Sequence, residues 1–306
     1  MDRLETVEIF VAVAEAGSFV GAARRLGRSP AAMTRAVAAL EDRLGIRLFN
    51  RTTRAVALTD AGARYLDRAR RAMAEFAELE LSAAGEQQVP QGLLAVTAPE
   101  MFGRLHMLPV VQGFMADFPQ VDVALLLLNR IVSYIDEGID LGLRIAHLPD
   151  SSLQAILVGH VHRICCASPS YIAAHGAPRR VQDLSRHAII ATTGVSPVVD
   201  RWSFERGSGT VWVSIQPRLS VNSVQAALDA AVAGGGIVRL LSYQSALPEA
   251  AGELVRVLDD EPQAPIPIHI VHPAGRHLAL KARLFIDRAV GALREKFSPE
   301  KLNGVS

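Results

Sequence analysis

The chain has 306 residues, half of them hydrophobic, and its 32 basic and 31 acidic residues leave a formal net charge of only +1. That length passes the roughly 250–300 residues at which single cores divide, so two or three domains with sizeable cores are expected. The near-balance of charge excludes a uniformly basic or acidic protein and shifts attention to where the charge lies.

Leu4, Val7, Phe10, Val11 and Ala14 recur at helical spacing, predicting a first helix from about Asp2 to Ala16, closed by Gly17. Ser18 caps a second helix, Phe19 to Leu26, stopped by Gly27, which can take the left-handed turn conformation. Ser29 is a good N-cap, and Pro30 at the first helical position forfeits no hydrogen bond, so a third helix starts there and ends near Leu44-Gly45. Met33, Val37, Leu40 and Leu44 fall on one face of it, directed at a small core. Arg47 to Leu58 alternates around Thr52-Thr53 like a two-stranded hairpin. The whole reads as a winged helix-turn-helix. Between Val20 and Leu58 eight arginines (24, 25, 28, 35, 43, 47, 51 and 54) face two acids, Glu41 and Asp42, a local excess of six positive charges. Such a footprint suits a polyanion. The start of the third helix, Pro30, Ala31, Thr34 and Arg35, with Arg28 and Ser29 before it, is expected in the major groove of duplex DNA. Arg51 and Arg54, flanking Thr52 and Thr53, are expected to reach phosphates or the minor groove.

From Asp60 to Gln88 there is no proline, and Tyr65, Ala69, Ala72, Phe76, Leu79 and Ala83 follow heptad spacing. A continuous helix at about 1.5 Å per residue would reach about 44 Å, and its apolar stripe calls either for a partner helix or for packing on its own chain. Gln87-Gln88-Val89-Pro90-Gln91-Gly92 reads as a stop and hinge.

Beyond it, strands at Leu93 to Thr97, Val121 to Leu128 and Leu141 to Ile145 alternate with helices at Phe102 to Phe118 and Val132 to Glu137. A second set begins near Val161 and includes a strand at Ala188 to Thr193, a helix at Val224 to Ala233 and a strand at Gly236 to Leu240. Pro262, Pro265 and Pro267 mark a return, and Ile268 to Val271 with a helix from Leu278 to Glu295 close the chain. This predicts two α/β lobes on mainly parallel sheets, forming a clamshell whose cleft would take a ligand.

Enzyme and metal motifs are poor. Gly234-Gly235-Gly236 lacks the lysine and hydroxyl residue of a phosphate loop and reads as a helix terminator. His160 and His162 lack a completing ligand set, no serine occupies a nucleophile elbow, and adjacent Cys165 and Cys166 on a strand should point to opposite faces as structural thiols. No catalytic residue, metal or cofactor is expected. Met1-Asp2-Arg3-Leu4-Glu5 does not open a leader, and the longest apolar cluster, Val121 to Leu128, falls far short of the roughly 20 residues of a membrane helix, so a soluble cytoplasmic protein without a membrane partner is expected.

Ala22-Ala23-Arg24-Arg25-Leu26, Ser29, Arg35, Leu40-Glu41, Leu44-Gly45, Leu48-Phe49, Arg51, Leu58-Thr59 and Ala61-Gly62 resemble the DNA-binding signature of LysR-type transcriptional regulators. Asp140 to Ile145, Cys166 to Ile172, Trp202-Ser203-Phe204 and Arg276 to Lys281 are similar to that family's inducer domain. The resemblance implies three parts: a winged helix-turn-helix over 1–59, a dimerising linker helix over 60–89, and a periplasmic-binding-protein-like effector domain over 90–306. Lobe I would take about 92–160 and 268–297, and lobe II about 161–267. It further implies a homodimer or homotetramer on promoter DNA, with RNA polymerase as a further partner and a small-molecule effector in the cleft. The effector contacts it implies are Thr97, Ala98, Pro99, Glu100, Met101, Phe102, Leu128, Asn129, Arg144, Ile145, Ala146, Thr193, Asn222, Ser223 and Val224.

Two departures limit the transfer. Pro30-Ala31 stands where the family often has glutamine and proline, which removes a base-reading side chain. Met101 replaces a frequent small hydroxyl residue beside Glu100, whose charge at a helix start would repel a carboxylate effector. Arg144 fits either an anionic effector or an ion pair with Asp140, and Asn222 either a ligand contact or a helix cap. The rival readings are a solute-binding protein or enzyme with an accessory N-terminus, and a non-specific architectural DNA binder.

Overall fold

The computed structural model describes residues 2–51, 56–83, 89–148, 153–193, 200–206, 209–261, 263–274 and 278–298. The chain divides into two compact units, Met1–Leu93 and Leu94–Ser306.

In the first unit α1 (Arg3–Ala16), α2 (Phe19–Arg25) and α3 (Pro30–Leu44) precede an antiparallel wing of β1 (Phe49–Arg51) and β2 (Val56–Leu58), then α4 (Asp60–Ala83). The helix boundaries follow the polar residues that cap them. Ser18 Oγ accepts from the Gly21 N–H and Ser29 Oγ from the Ala32 N–H, satisfying donors left open at each helix start. Gly27, in the turn between α2 and α3, has a φ of 63° that an L side chain rarely adopts. Ile9, Phe10 and Val13 of α1 meet Ala22, Ala23, Met33, Ala36, Val37 and Leu40 in one buried core, closed by Leu48 and Phe49. Leu44, expected on that face, is exposed at the last position of α3, where Gly45 turns the chain away.

The first two positions of the predicted seam belong to this core. Ala69 is buried with Leu66, and Tyr65 stands edge-on to Phe10 at 5.3 Å between ring centroids. Ala72 and Phe76 are exposed. The side chains of Leu79 and Ala83, and the predicted helix tail at 84–88, lie outside the described residues.

The second unit opens with β3 (Gly92–Ala98) and a helix that runs as α5 (Glu100–Phe102), a π turn (Gly103–Met107) and α6 (Leu108–Asp117). Then come β4 (Val121–Leu127), β5 (Leu141–Ile145), β6 (Leu153–Val161), β7 (Arg163–Ala167), α7 (Pro169–His175) and β8 (Ile189–Thr192). A hairpin of β9 (Arg201–Arg206) and β10 (Gly209–Ser214) is followed by β11 (Pro217–Val221), α8 (Val224–Val232), β12 (Ile237–Leu241), α9 (Ser242–Ala250), β13 (Val255–Val257), β14 (Ile266–Pro273) and α10 (Leu280–Phe297). Two five-stranded sheets result, in the orders β4-β3-β5-β14-β6 and β11-β8-β12-β7-β13. These are the two lobes, linked by crossovers at His162 and between Val257 and Ile266.

Both sheets are mixed rather than mainly parallel. β3 pairs parallel with β5, and β8 with β11 and β12, but β14 is antiparallel to β5 and β6, and β7 to β12 and β13. The antiparallel partners are the strands beside the crossovers, where the chain changes lobe and re-enters from the other end. The helix predicted over Val132 to Glu137 is instead a hydrogen-bonded turn. Arg130 grips Glu137 through two hydrogen bonds, Ser133 Oγ donates to Asp136, and the Ser133 N–H donates to Glu137, so side chains supplement the one helical backbone bond there, from the Glu137 N–H to the Ser133 carbonyl at 2.9 Å.

Cys165 and Cys166 do point to opposite faces. Cys165 packs with Trp202 and Phe204, and Cys166 with Val238 and Ile190. Burial pushes each thiol up to about 12, far from the thiolate form that oxidation and metal binding need. Among the described residues no group of three or more His, Cys, Asp or Glu side chains is arranged to hold a metal ion. No single helix among them is long and apolar enough to cross a membrane.

Candidate DNA interface and effector cleft

On the head, burial of one face of α3 leaves the other open. Arg28, Ser29, Pro30, Ala31 and Arg35 are exposed, while Thr34 is half-buried and its hydroxyl donates to the Pro30 carbonyl at 3.0 Å. Arg28 forms an ion pair with Glu5, which ties the interhelical turn to α1, and Arg25 pairs with Glu15 at 2.9 Å. Arg24, Arg35, Arg43 and Arg47 are exposed, and none is ion-paired to a carboxylate among the described residues. The Arg51 side chain and Thr52, Thr53 and Arg54 at the wing tip lie outside the described residues.

Three residues that sequence reasoning quoted within the family signature, without a structural role, hold the wing to α3 and α4. Glu41, read from the sequence as a negative charge and a signature residue, accepts from the N–H groups of Leu48 and Phe49 at 2.7 and 3.1 Å. Thr59 donates to the Arg47 carbonyl at 2.8 Å and accepts from the Gly62 N–H at 2.9 Å, so it caps α4 while gripping the wing entry. A Cβ on Gly62 would stand 2.0 Å from the Leu48 carbonyl oxygen, so only glycine allows this approach. A threonine directly before a helical run was the available signal for the cap.

In the second unit, each lobe brings two expected effector segments together at the ends of neighbouring strands. In lobe I the Leu128 N–H donates to the Ala98 carbonyl at 2.9 Å, and in lobe II the Thr193 N–H donates to the Val221 carbonyl at 2.8 Å. The carboxyl ends of strands are where open α/β sheets take ligands. Thr97, Ala98 and Phe102 are fully buried and Met101 nearly so; the Thr97 hydroxyl donates to the Leu126 carbonyl at 3.0 Å. Of that loop Glu100 is exposed and Pro99 half-exposed. Asn129 Oδ1 accepts from the Glu100 N–H at 3.0 Å and its amide lies 3.4 Å from the Glu100 carboxylate, so the start of α5 already has both its cap and a negative charge.

Arg144 makes no ion pair among the described residues; it donates to the Leu143 carbonyl at 3.0 Å and lies 5.4 Å from the centroid of the Tyr134 ring. The Asp140 carboxylate accepts from the Ala95 N–H at 2.8 Å, fastening β3. One Arg144 guanidinium nitrogen and the Tyr134 hydroxyl are buried without a hydrogen-bond partner, and burial raises the Tyr134 pKa. Ile145 is half-buried and Ala146 exposed, its N–H donating to the Pro267 carbonyl at 3.1 Å. On lobe II the cap of α8 is Ser223, which accepts from the Ala226 N–H, and not Asn222, which is exposed one residue earlier; Val224 packs against the core. The lobes meet where Arg104, on the π turn, donates to the Gln225 side chain on α8 at 3.0 Å, a contact with no sequence signal.

A helix-turn-helix head followed by a two-lobed α/β body defines a ligand-responsive DNA-binding regulator. Residues 4–63 match the family model described as bacterial regulatory helix-turn-helix protein, lysR family, and residues 87–294 match the LysR substrate binding domain. The chain belongs to the LysR-type transcriptional regulators, with a helix-turn-helix DNA-binding domain and an effector-binding domain. It is 35% identical over 261 residues to the probable HTH-type transcriptional regulator LtrA of Klebsiella pneumoniae, covering 85% of this chain and 84% of that protein. Among solved structures it is similar to CrgA, a LysR-type regulator from Neisseria meningitidis, at 30% identity and a TM-score of 0.60 over 94% of this chain and 98% of that one. The Vibrio cholerae virulence activator AphB matches at 28% identity and a TM-score of 0.61 over 95% of this chain and 100% of that one. The family is one of transcriptional regulators, not of enzymes.

Proposed function

We propose that the protein binds operator DNA as a homodimer or homotetramer, with the start of α3 in the major groove and the wing on the adjacent backbone. The head would span 1–59, the dimerising helix 60–89 and the effector domain 90–306, with lobe I at about 92–160 and 268–297 and lobe II at about 161–267. The observation that carries this reading is the set of exposed arginines 24, 35, 43 and 47, without carboxylate partners among the described residues, on a head in which the opposite face of α3 is fully buried. Phosphate contacts from these cations supply salt-dependent affinity, and Arg35 on the exposed face of α3 reads a guanine edge. A small molecule held between the lobes binds one cleft geometry better than another and thereby shifts the populations of DNA-binding states. The protein acts in the cytoplasm, without a cofactor, and meets RNA polymerase at the promoter.

The test is a binding titration on the DNA upstream of its own gene, at several salt concentrations and against an unrelated duplex. Preference for the upstream DNA, with Arg35→Ala losing roughly tenfold to a hundredfold in affinity, is expected. Equal affinity for both duplexes at every salt concentration would instead describe a non-specific architectural binder.

A further inference from the structure

Lobe II holds a cavity of about 280 Å³ that shares no residue with the expected effector contacts. Its floor is the antiparallel pair β7 and β12, in which Arg239 stands opposite Cys165 and Leu241 opposite Arg163. Cross-strand partners share a face and so do residues two apart, so Arg163 and Arg239 project on the same side as diagonal neighbours. Like charges so placed repel, although Arg163 is exposed and only Arg239 is half-buried.

Among the described residues no carboxylate is ion-paired to either guanidinium. Arg239 donates to the Ser203 carbonyl and, at 2.7 Å, to the Gln263 side-chain oxygen, both neutral, and its guanidinium carbon lies 4.7 Å from the Phe204 ring centroid. Asp259 and Glu261 also reach the wall, but Asp259 lies 3.9 Å from Arg256, which in turn holds Glu249 at 2.7 Å. Burial is the main cause that lowers the Arg239 pKa to about 10, opposed by Cys165, with Arg163 beside it adding a smaller push. A second, independent sign is Leu258 in the same wall. Its φ of 60° makes it the one non-glycine residue with positive φ among the described residues, and such strain concentrates at ligand clamps.

We propose that this cavity is a second ligand site, separate from the cleft between the lobes, for a small organic carboxylate: Arg163 and Arg239 supply the counter-charge, and Phe204 and Val257 cover its apolar body. The volume lies just below the roughly 300–1,000 Å³ of drug-sized sites, which fits an aryl or short alkyl acid. The site also bears on the hinge. His162 and Gln263 lie on the two crossovers, Gln263 holds Arg239, and the His162 ring sits 3.3 Å from the Gln263 carbonyl, so a ligand on Arg239 acts on both connections between the lobes.

The chain has two tryptophans, so Trp212→Phe in the full-length protein leaves Trp202, whose ring centroid lies 5.8 Å from the Arg239 guanidinium, as the sole indole reporter. Its emission is followed during titration with phenylacetate, butyrate, 2-phenylethanol and inorganic phosphate. A saturable response to at least one of the two acids is expected, with none to the uncharged alcohol. Adding Arg163→Gln, at an exposed position, should raise the midpoint by roughly tenfold or more, and adding Arg144→Gln should leave it within about twofold. Absence of a saturable response to both acids overturns the proposal. So does equal binding of 2-phenylethanol, which would make the cavity merely apolar, or tighter binding of phosphate, which would make it a bare anion site. A response lost in Arg144→Gln but kept in Arg163→Gln would locate the acid in the cleft between the lobes and equally overturn it.

Discussion

Glu41 on α3 accepts the Leu48 N–H at 2.7 Å and so locks that helix to the residue that leads into the first strand of the wing. The same oxygen takes the Phe49 N–H at 3.1 Å. A charged acceptor satisfying two half-buried donors is among the stronger hydrogen-bond arrangements. Glu41→Ala should lower stability in urea by about 1–3 kcal/mol and weaken DNA binding by loosening the wing, although a negative charge has been removed from a DNA-binding head. Glu41→Gln, which keeps an acceptor but not the charge, should sit between the two. Tighter DNA binding by Glu41→Ala at unchanged stability would mean that Glu41 acts only as a charge.

Gly62 lies against the backbone of the same residue, Leu48. An alanine Cβ there would meet the Leu48 carbonyl oxygen at 2.0 Å and its carbon at 2.9 Å, both backbone atoms that cannot rotate away. Gly62→Ala should therefore destabilise the head by about 3 kcal/mol or more. Gly21→Ala is the control, since the nearest atom to its Cβ would be a side-chain carbon at 3.4 Å, an ordinary contact. Thermal unfolding of the full-length variants checks the pair, and similar melting temperatures for the two would contradict the packing argument.

Phe76 is 38% exposed on α4 although it falls on the heptad stripe, whereas Tyr65 and Ala69 on the same stripe are already used by the head core. An apolar ring left open beyond the point where the chain covers its own helix is the expected contact to a second copy. Phe76→Glu should shift sedimentation toward smaller species and reduce operator affinity, while Tyr65→Ala should mainly lower stability. An unchanged sedimentation profile for Phe76→Glu would remove this helix from the oligomer contact.

The head was legible because its signals are local: Ser18, Ser29, Gly27 and Gly45 act within a turn of where they stand, and the structure uses each as expected. The wing clamp was not, since Glu41, Leu48 and Gly62 meet only once the chain has folded back. Lobe strands were recognisable from apolar runs, but apolar runs carry no direction, so the antiparallel entry of β14 and β7 went unread. Over Val132 to Glu137 six residues suggested a helix too short to offset its own nucleation, and Ser133, Asp136 and Glu137 preferred to bond one another. At the candidate cleft the sequence proposed the segments; which side chains are exposed, as Glu100 and Asn129 are and Thr97 and Phe102 are not, follows from packing.

His106 on the π turn makes stability depend on pH. Its ring packs between Phe102 and Phe297, at 4.8 and 4.9 Å between centroids, with Tyr243 at 5.6 Å, and neither ring nitrogen has a hydrogen-bond partner. Burial, aided by the charge of Lys296, lowers its pKa to about 4 from an ordinary value of 6.5. Between those values the unfolded chain takes up a proton that the folded ring refuses, so stability is unaffected above 6.5, falls as pH drops toward 4, and stops falling below it. With allowance for the partial exposure of the ring, the loss should be on the order of 1–2 kcal/mol. His187 and His269 are also lowered by burial and add to the same trend, so the measurement is a difference between proteins. Denaturant unfolding at about pH 7 and about pH 4.5 should show wild type losing more stability than His106→Leu. Parallel losses in the two proteins would mean that the ring is as easily protonated folded as unfolded.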